Sequence, residues 1–177
     1  ALRKAGFPVA NPIVLKGKFS LDNHSPSLPT VIKVGDRHMG YGKAKITSKE
    51  AWLDAVDMAS ISPDPVSIEP FFEYKRDLRC LCFFGRVLTI ERVPSQWKAN
   101  VCPKKVKLVS SPKHIHDMSV KATEVIGADV LGVDWIQLIN GDWILLEANI
   151  SPGLIVENKD LRGELTRHFA KQLKSSN

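Results

Sequence analysis

An Asn140-Gly141 pair stands between two apolar runs, 129–139 and 142–150. The two central residues of a tight hairpin turn need positive φ, which Asn and Gly accept at low cost, so the pair predicts a β-hairpin. A hairpin with apolar residues on both strands is not stable alone. It has to be built into a larger sheet with its apolar face covered by another layer.

The rest of the chain supplies those layers. Residues 1–5 read as the end of a helix stopped at Gly6, and 8–15 as extended chain. The stretch 17–29 holds Gly17, Asn23, Pro26 and Pro29 and reads as a loop. Strands are expected over 30–35 and 42–46, with Gly35 to Gly42 closing a hairpin. Thr47 and Glu50 form a capping box for a helix over 48–59, with Ala51, Ala55, Val56 and Ala59 as its buried stripe. Further strands are expected over 66–70, 77–84, 86–94 and 106–109. Helices follow over 112–128 and, with Leu161, Leu165, Phe169 and Leu173 on one face, over 160–174. Two antiparallel-rich sheets, each with a helix, make an α+β architecture of two lobes.

Composition narrows the function classes. The 177 residues are 44% hydrophobic and 25% charged, an ordinary globular balance that excludes disorder as a general description. No apolar run approaches the roughly 18 residues of a membrane span. The start, Ala1-Leu2-Arg3-Lys4, is not a secretory leader. It has no initiator Met, as in a piece cut from a longer chain. Lys and Arg number 25 against 19 Asp and Glu, a net charge of +6 without a polybasic block. That balance suits phosphate-bearing ligands. A basic stripe with interleaved aromatics is missing, which argues against nucleic acid. Three cysteines, Cys80, Cys82 and Cys102, form no disulfide framework and point to a reducing, cytoplasmic compartment.

Four features can carry chemistry. The loop from Gly35 to Lys43 has three glycines, Gly35, Gly40 and Gly42, and its backbone N–H groups can cradle phosphate oxygens; the alternative is a flexible hairpin. Lys33 alternates with Ile32 and Val34, so it faces away from them, toward solvent or toward a cleft. Glu147 and Asn149 share a strand face, and the turn brings Asp134 opposite them. Two carboxylates and a carboxamide among apolar neighbours call for a hard cation such as Mg²⁺; the alternative is a solvated sheet face. Arg79 and Arg92 lie inside apolar strands and read as a cleft wall offering paired donors to carboxylate or phosphate, whereas Arg76 and Arg86 fit an ordinary charged face. Cys80 and Cys82 read as small apolar residues. His114 and His116 lack the spacing of paired ligands, and Trp52, Trp135 and Trp143 read as packing residues.

In this order the motifs resemble the ATP-grasp superfamily. Pro29-Thr30-Val31-Ile32-Lys33-Val34-Gly35 through Gly40-Tyr41-Gly42-Lys43, Glu69-Pro70-Phe71-Phe72, Asp77-Leu78-Arg79 and Trp97-Lys98-Ala99-Asn100 are similar to synapsins. Gly132-Val133-Asp134 and Glu147-Ala148-Asn149-Ile150-Ser151-Pro152-Gly153-Leu154 resemble ribosomal-protein glutamate ligases and related amino-acid ligases. The resemblance implies ATP held between the antiparallel sheets of two lobes. It places the small lobe at 30–70, the large lobe at 71–177, and the end of a preceding helix with a linker at 1–29. The family's usual N-terminal domain, and a phosphate-contacting Lys just ahead of the chain's start, are expected to be missing.

The same resemblance implies roles. Lys33 meets the α- and β-phosphates, and the Gly40 and Gly42 loop folds over them. Glu69 accepts from the adenine amino group, the Phe71 backbone contacts the ring, and Asp77 lies on the ribose side. Arg79, Arg92, Lys98 and Asn100 form the catalytic set around the γ-phosphate. Asp134, Glu147 and Asn149 hold Mg²⁺, with Mn²⁺ as a substitute. The implied activity joins a carboxylate, as an acyl phosphate, to an amine such as an amino acid, with a protein terminus as one kind of acceptor. No membrane partner is implied, and a homo-oligomer is compatible with the reading. A synapsin-like module that binds ATP for assembly, and a kinase on the same fold, are the alternatives.

Overall fold

The computed structural model describes residues 1–35, 41–83, 85–94, 97, 103–152, 163, 166–167 and 170–171. Most of the helix expected over 160–174 lies outside them, although Gly163, Thr166, Arg167, Ala170 and Lys171 are helical. Gly40, Lys98 and Asn100 also lie outside, as does Cys102.

Two antiparallel sheets organise the chain. The first has strand order β1–β4–β2–β3, with β1 at Ile13–Leu15, β2 at Thr30–Val34, β3 at Lys43–Ile46 and β4 at Val66–Pro70. The second has order β7–β6–β5–β8–β9, with β5 at Tyr74–Phe83, β6 at Arg86–Pro94, β7 at Pro103–Val109, β8 at Val130–Leu138 and β9 at Trp143–Asn149. The hairpin is β8–β9, but its turn is one residue longer than expected: Gly141 N donates to Leu138 O at 3.0 Å, which puts Ile139 and Asn140 at the centre, and Gly141 follows them at φ +100°.

Strand alternation gives each sheet one dry face and one face that carries polar groups. On the first sheet Ile32, Ile46, Val66 and Ile68 pack with Trp52, Val56 and Ala59 of helix α2 (Lys49–Ser60). The opposite face carries Val31, Lys33, Lys43, Lys45 and Glu69, because Lys33 pairs with Lys43 and Val31 with both Lys45 and Glu69. On the second sheet Leu78, Cys80, Cys82, Leu131, Val133 and Trp135 pack with Ile115 and Ala122 of helix α3 (Lys113–Ile126). The opposite face carries Asp77, Arg79, Arg92, Asp134, Glu147 and Asn149. Cys80 and Cys82 are core residues, as expected, and burial pushes the Cys82 thiol up to about 12.

Some expected boundaries move. Residues 17–29 are not all loop: Lys18–Asp22 forms a short helix, α1, that buries Leu21 against the first sheet's core. Five residues are too few to show a helical period. The cap of α2 is Ser48, one residue after Thr47; its Oγ accepts from the Ala51 N–H at 3.1 Å. Strands β5 and β7 each begin three residues earlier than expected, at Tyr74 and Pro103. In both cases a partner strand extends the ladder into polar sequence. Residues 1–15 do more than lead in. Leu145 donates its N–H to Pro8 O at 2.8 Å, and β1 pairs with β4. No helix among the described residues is long and apolar enough to cross a membrane.

Candidate functional site

The two polar faces meet across a cleft. The first sheet lines it with Val31, Lys33, Lys43 and Glu69, and the second with Asp77, Arg92, Asp134, Ile136, Leu146 and Glu147. The connection between sheets supplies Pro70, Phe71 and Phe72, followed by Tyr74 at the start of β5, and Trp97 closes one side. The structure therefore brings together Lys33, Glu69, Phe71, Asp77, Arg92, Asp134 and Glu147 from four separate sequence regions.

A β-bulge shapes the wall near Glu147. Trp135 pairs with Leu145, but Asp134 pairs with Glu147, so Leu146 is an extra residue on β9. Bulges re-aim side chains, and here Leu146 and Glu147 both reach the cleft. Beside them Gly132 pairs with Asn149, and a Cβ on Gly132 would lie 2.7 Å from Pro152 Cβ. Only glycine leaves room for the turn after β9. Asn149 Oδ1 accepts from Ser151 N there at 2.8 Å, which fixes the carboxamide.

The charged groups of the second sheet neutralise one another in part. Arg79 presents a fork to Asp134, with Nε to Oδ1 and Nη2 to Oδ2 both at 2.8 Å. Arg92 Nε donates to Asp77 Oδ1 at 2.7 Å, and its Nη2 lies 3.5 Å from Asp134 Oδ1. The arginines were expected to offer their donors to a ligand; in the structure those donors go to the protein's own carboxylates. Burial opposes charge on Asp134, yet Arg92 through its charge and Arg79 through its hydrogen bonds outweigh that cost and hold its pKa below the usual carboxylate range.

Asp77 is the counter-example. It is only 4% exposed, and burial pushes it up to about 6. The Asp134 charge adds to the rise, and Arg92, shared between the two carboxylates, offsets it only in part. A carboxyl whose folded pKa is raised contributes stability that is complete below its unfolded value and lost as pH rises through about 6. A rise of that size corresponds to about 3 kcal/mol. The unfolding free energy of Asp77→Asn minus that of wild type is therefore expected to grow by about that amount between pH 4 and 7. A difference that is flat with pH would show that Asp77 titrates normally. Next to Asp77, burial and then its charge push Tyr74 up to about 12, so this phenol stays neutral.

The first sheet's wall is cationic. Lys33 Nζ pairs with Glu69 Oε1, so the two residues expected at different parts of a ligand sit against each other. The Glu69 carbonyl accepts from Thr30 Oγ1 at 2.7 Å. Phe71 N donates to Pro29 O at 3.1 Å, which leaves the Phe71 carbonyl and ring as its means of contact with a ligand. Lys45 Nζ sits 3.6 Å above the Phe71 ring, and Trp97 meets that ring edge-on at 6.4 Å. Sequence reasoning quoted Lys43 and Phe72 within motifs but gave no role to them or to Lys45, Tyr74 or Leu146. The Lys43 and Lys45 alternation after the glycine loop was the readable signal.

Among the described residues no three His, Cys, Asp or Glu side chains gather at one point. The oxygen donors that face one another are Asp134 and Glu147, with Asn149 next along the same face. This all-oxygen set suits a hard cation. Asp134 Oδ2 accepts one Arg79 hydrogen bond and retains a second lone pair, whereas Oδ1 also faces Arg92 Nη2 at 3.5 Å, so the set keeps an oxygen for such an ion through Oδ2.

Comparison with known proteins agrees with this geometry. The family model for "Synapsin, ATP binding domain" matches residues 7–168. A probable alpha-L-glutamate ligase of Histophilus somni (strain 2336) is 26% identical across 98% of this chain and 62% of its own length. The chain thus spans somewhat under two thirds of that relative. Among solved structures, the D-alanine–D-alanine ligase of Bacillus anthracis with ATP superposes with a TM-score of 0.65 at 17% identity, over 87% of this chain and 51% of that one. The ATP-grasp ligase PsnB with minimal precursor, Mg and ADP gives 0.63 at 19% identity, over 85% and 47%. The paired sheets and the cleft between them are the ATP-grasp fold, and the chain belongs to the synapsin ATP-binding-domain family.

Proposed function

We propose that the chain is the nucleotide-binding core of an ATP-dependent carboxylate–amine ligase. One observation carries the reading: a single cleft sets a cationic wall, Lys33 and Lys43, opposite an oxygen-rich wall, Asp134 and Glu147, with aromatic residues Phe71, Phe72 and Trp97 at one end. That arrangement suits a purine, a phosphate chain and a divalent cation together. The glutamate-ligase relative supports the ligase class.

In this reading the base lies against Phe71, Phe72 and Trp97, and Glu69 accepts from its amino group. Lys33, positioned by Glu69, meets the α- and β-phosphates, beneath the Gly40 and Gly42 loop. Asp134, Glu147 and Asn149 hold Mg²⁺, or Mn²⁺ in its place, and the ion when bound neutralises charge on the phosphates. An oxygen of the substrate carboxylate attacks the γ-phosphorus, and ADP leaves. The amine then attacks the acyl carbon, phosphate leaves, and the amine loses a proton. Such transfer needs positioning and charge more than a side-chain nucleophile. Arg79 and Arg92 act on it by fixing the Asp134 and Asp77 charges, and Lys98 and Asn100 complete the set around the γ-phosphate. Residues 30–70 form the small lobe and 71–177 the large one, with β1 and α1 from the 1–29 lead-in packed on the small lobe. The amine acceptor is an amino acid or a protein terminus, and the compartment is the cytoplasm.

The test is an ATP-hydrolysis assay on the full chain, with Mg²⁺ and a panel of amino acids and acidic peptides. Stimulated release of ADP and phosphate with a new amide, seen by mass, is the expected result. The family match keeps one second reading, a synapsin-like module. ATP binding with nucleotide-dependent self-association, and no ADP release on any panel member, would replace the ligase by that module.

A further inference from the structure

We propose that the outer edge of β1 is a docking strand for a partner polypeptide: an extended acidic segment adds there as an antiparallel fifth strand of the first sheet and sends its C-terminal end toward the cleft. The inference deepens the ligase reading, on which the use of that end rests. Among the described residues the two sheets have four edge strands, and three of them are guarded. Natural edge strands carry lysine, proline or a covering segment, which stops another chain from pairing with them. β3 carries Lys43 and Lys45, β7 reads Pro-Lys-Lys-Val-Lys-Leu-Val, and Pro8 and Val9 cover β9 at Leu145. Within β1 stands none of these. It is Ile13-Val14-Leu15, it pairs with β4 alone among the described residues, and Ile13 and Val14 are 48% and 64% exposed. Such an edge offers both backbone groups and apolar side chains to an added strand.

Register fixes where that strand lies. Val14 pairs with Ser67, Ser67 with Lys33, and Lys33 with Lys43, so these four side chains share the face that lines the cleft. A strand added to β1 stands three strand spacings from Lys33, about 14 Å, which roughly four extended residues span. Every pairing in the sheet is antiparallel, so the added chain runs against β1 and leaves at its start, beside Pro12. There a cavity of about 480 Å³ is lined by Arg3, Ala10, Pro12, Ser67, Lys33 and Glu147. Lys33 and Glu147 also line the nucleotide cleft, so the cavity adjoins it. Lys16, exposed just past β1, and Arg3, on the cavity wall, stand at the two ends of this path. They attract an acidic segment, whereas a second copy of a chain with net charge +6 is repelled.

The test is fluorescence anisotropy on the full chain, without nucleotide, with a decapeptide of alternating Val and Glu labelled at its N-terminus. Binding is expected, and Val14→Glu should weaken it roughly tenfold or more, since it sets a like charge against the docked strand. Val14→Glu should melt within about 2 °C of wild type, because the side chain is exposed, and its ATP affinity should be unchanged. Ile139→Glu, an exposed site at the β8–β9 turn, should bind the peptide like wild type, which separates the edge from general charge. The same peptide N-methylated throughout keeps its side chains but cannot pair as a strand, and it should not bind. If wild type does not bind the peptide, or if Val14→Glu or N-methylation leaves binding unchanged, the docking strand falls and the ligase reading stands. If wild type sediments as a dimer that Val14→Glu dissolves, the edge belongs to a second copy and the inference falls as well. If the peptide binds by this edge and ATP does not bind, the ligase reading falls and the docking strand stands.

Discussion

Arg79→Met is expected to be the most damaging single change on the polar face of the second sheet. Asp134 is 5% exposed and takes both of its short hydrogen bonds from the Arg79 fork. Removing the guanidinium leaves a buried carboxylate with only Arg92 at 3.5 Å. Breaking a buried ion pair from one side costs about 3–5 kcal/mol. For a chain of this size that lowers the melting temperature by roughly 6–20 °C. Arg79→Lys should recover little, because a single ammonium cannot donate two parallel bonds in the fork's plane. The double variant Arg79→Met with Asp134→Leu should recover much of the loss, since the orphaned charge is gone. Thermal and guanidinium melts of the three variants decide it. A loss under about 1 kcal/mol in Arg79→Met would mean that Asp134 is satisfied some other way.

Much of this arrangement could be read from the chain, and the exceptions have physical causes. The β8–β9 hairpin was legible because Asn-Gly permits few other conformations, and the same turn correctly placed Asp134 opposite Glu147. Lys33 was legible as a residue facing away from Ile32 and Val34, because strand alternation is strict. Alternation does not tell what a charged side chain pairs with. Arg79 and Arg92 looked like donors to a ligand, but their partners Asp134 and Asp77 come from β8, distant in sequence, and from β5. The bulge that turns Leu146 into the cleft is equally silent, since a one-residue slip in pairing leaves no composition signal. The short helix Lys18–Asp22 is stabilised by burial of Leu21 and not by any pattern of its own.

Glu147→Gln is expected to have the largest effect on function with the least on structure. Glu147 is exposed in the cleft, and its neighbours on the sheet face are Asp134 and, through charge, Arg79. Gln keeps the shape and removes one charge, so the melting temperature should stay within about 1–2 °C of wild type. Asp134→Asn would not separate the two effects, because it also breaks the Arg79 fork and the Arg92 contact. If Asp134, Glu147 and Asn149 hold the cation, Glu147 supplies one of only two carboxylates in the set. Its loss should lower turnover by roughly 10²–10³-fold, as removal of a group that stabilises charge in the transition state does. A binding measurement isolates the cause. In wild type, Mg²⁺ should strengthen ATP binding, and in Glu147→Gln that strengthening should largely disappear while metal-free binding is unchanged. The two parts are expected to depend on different walls of the cleft, which Lys33 and Lys43 line from the first sheet and Glu147 from the second. A Glu147→Gln protein that still gains full ATP affinity from Mg²⁺ would place the metal elsewhere in the cleft.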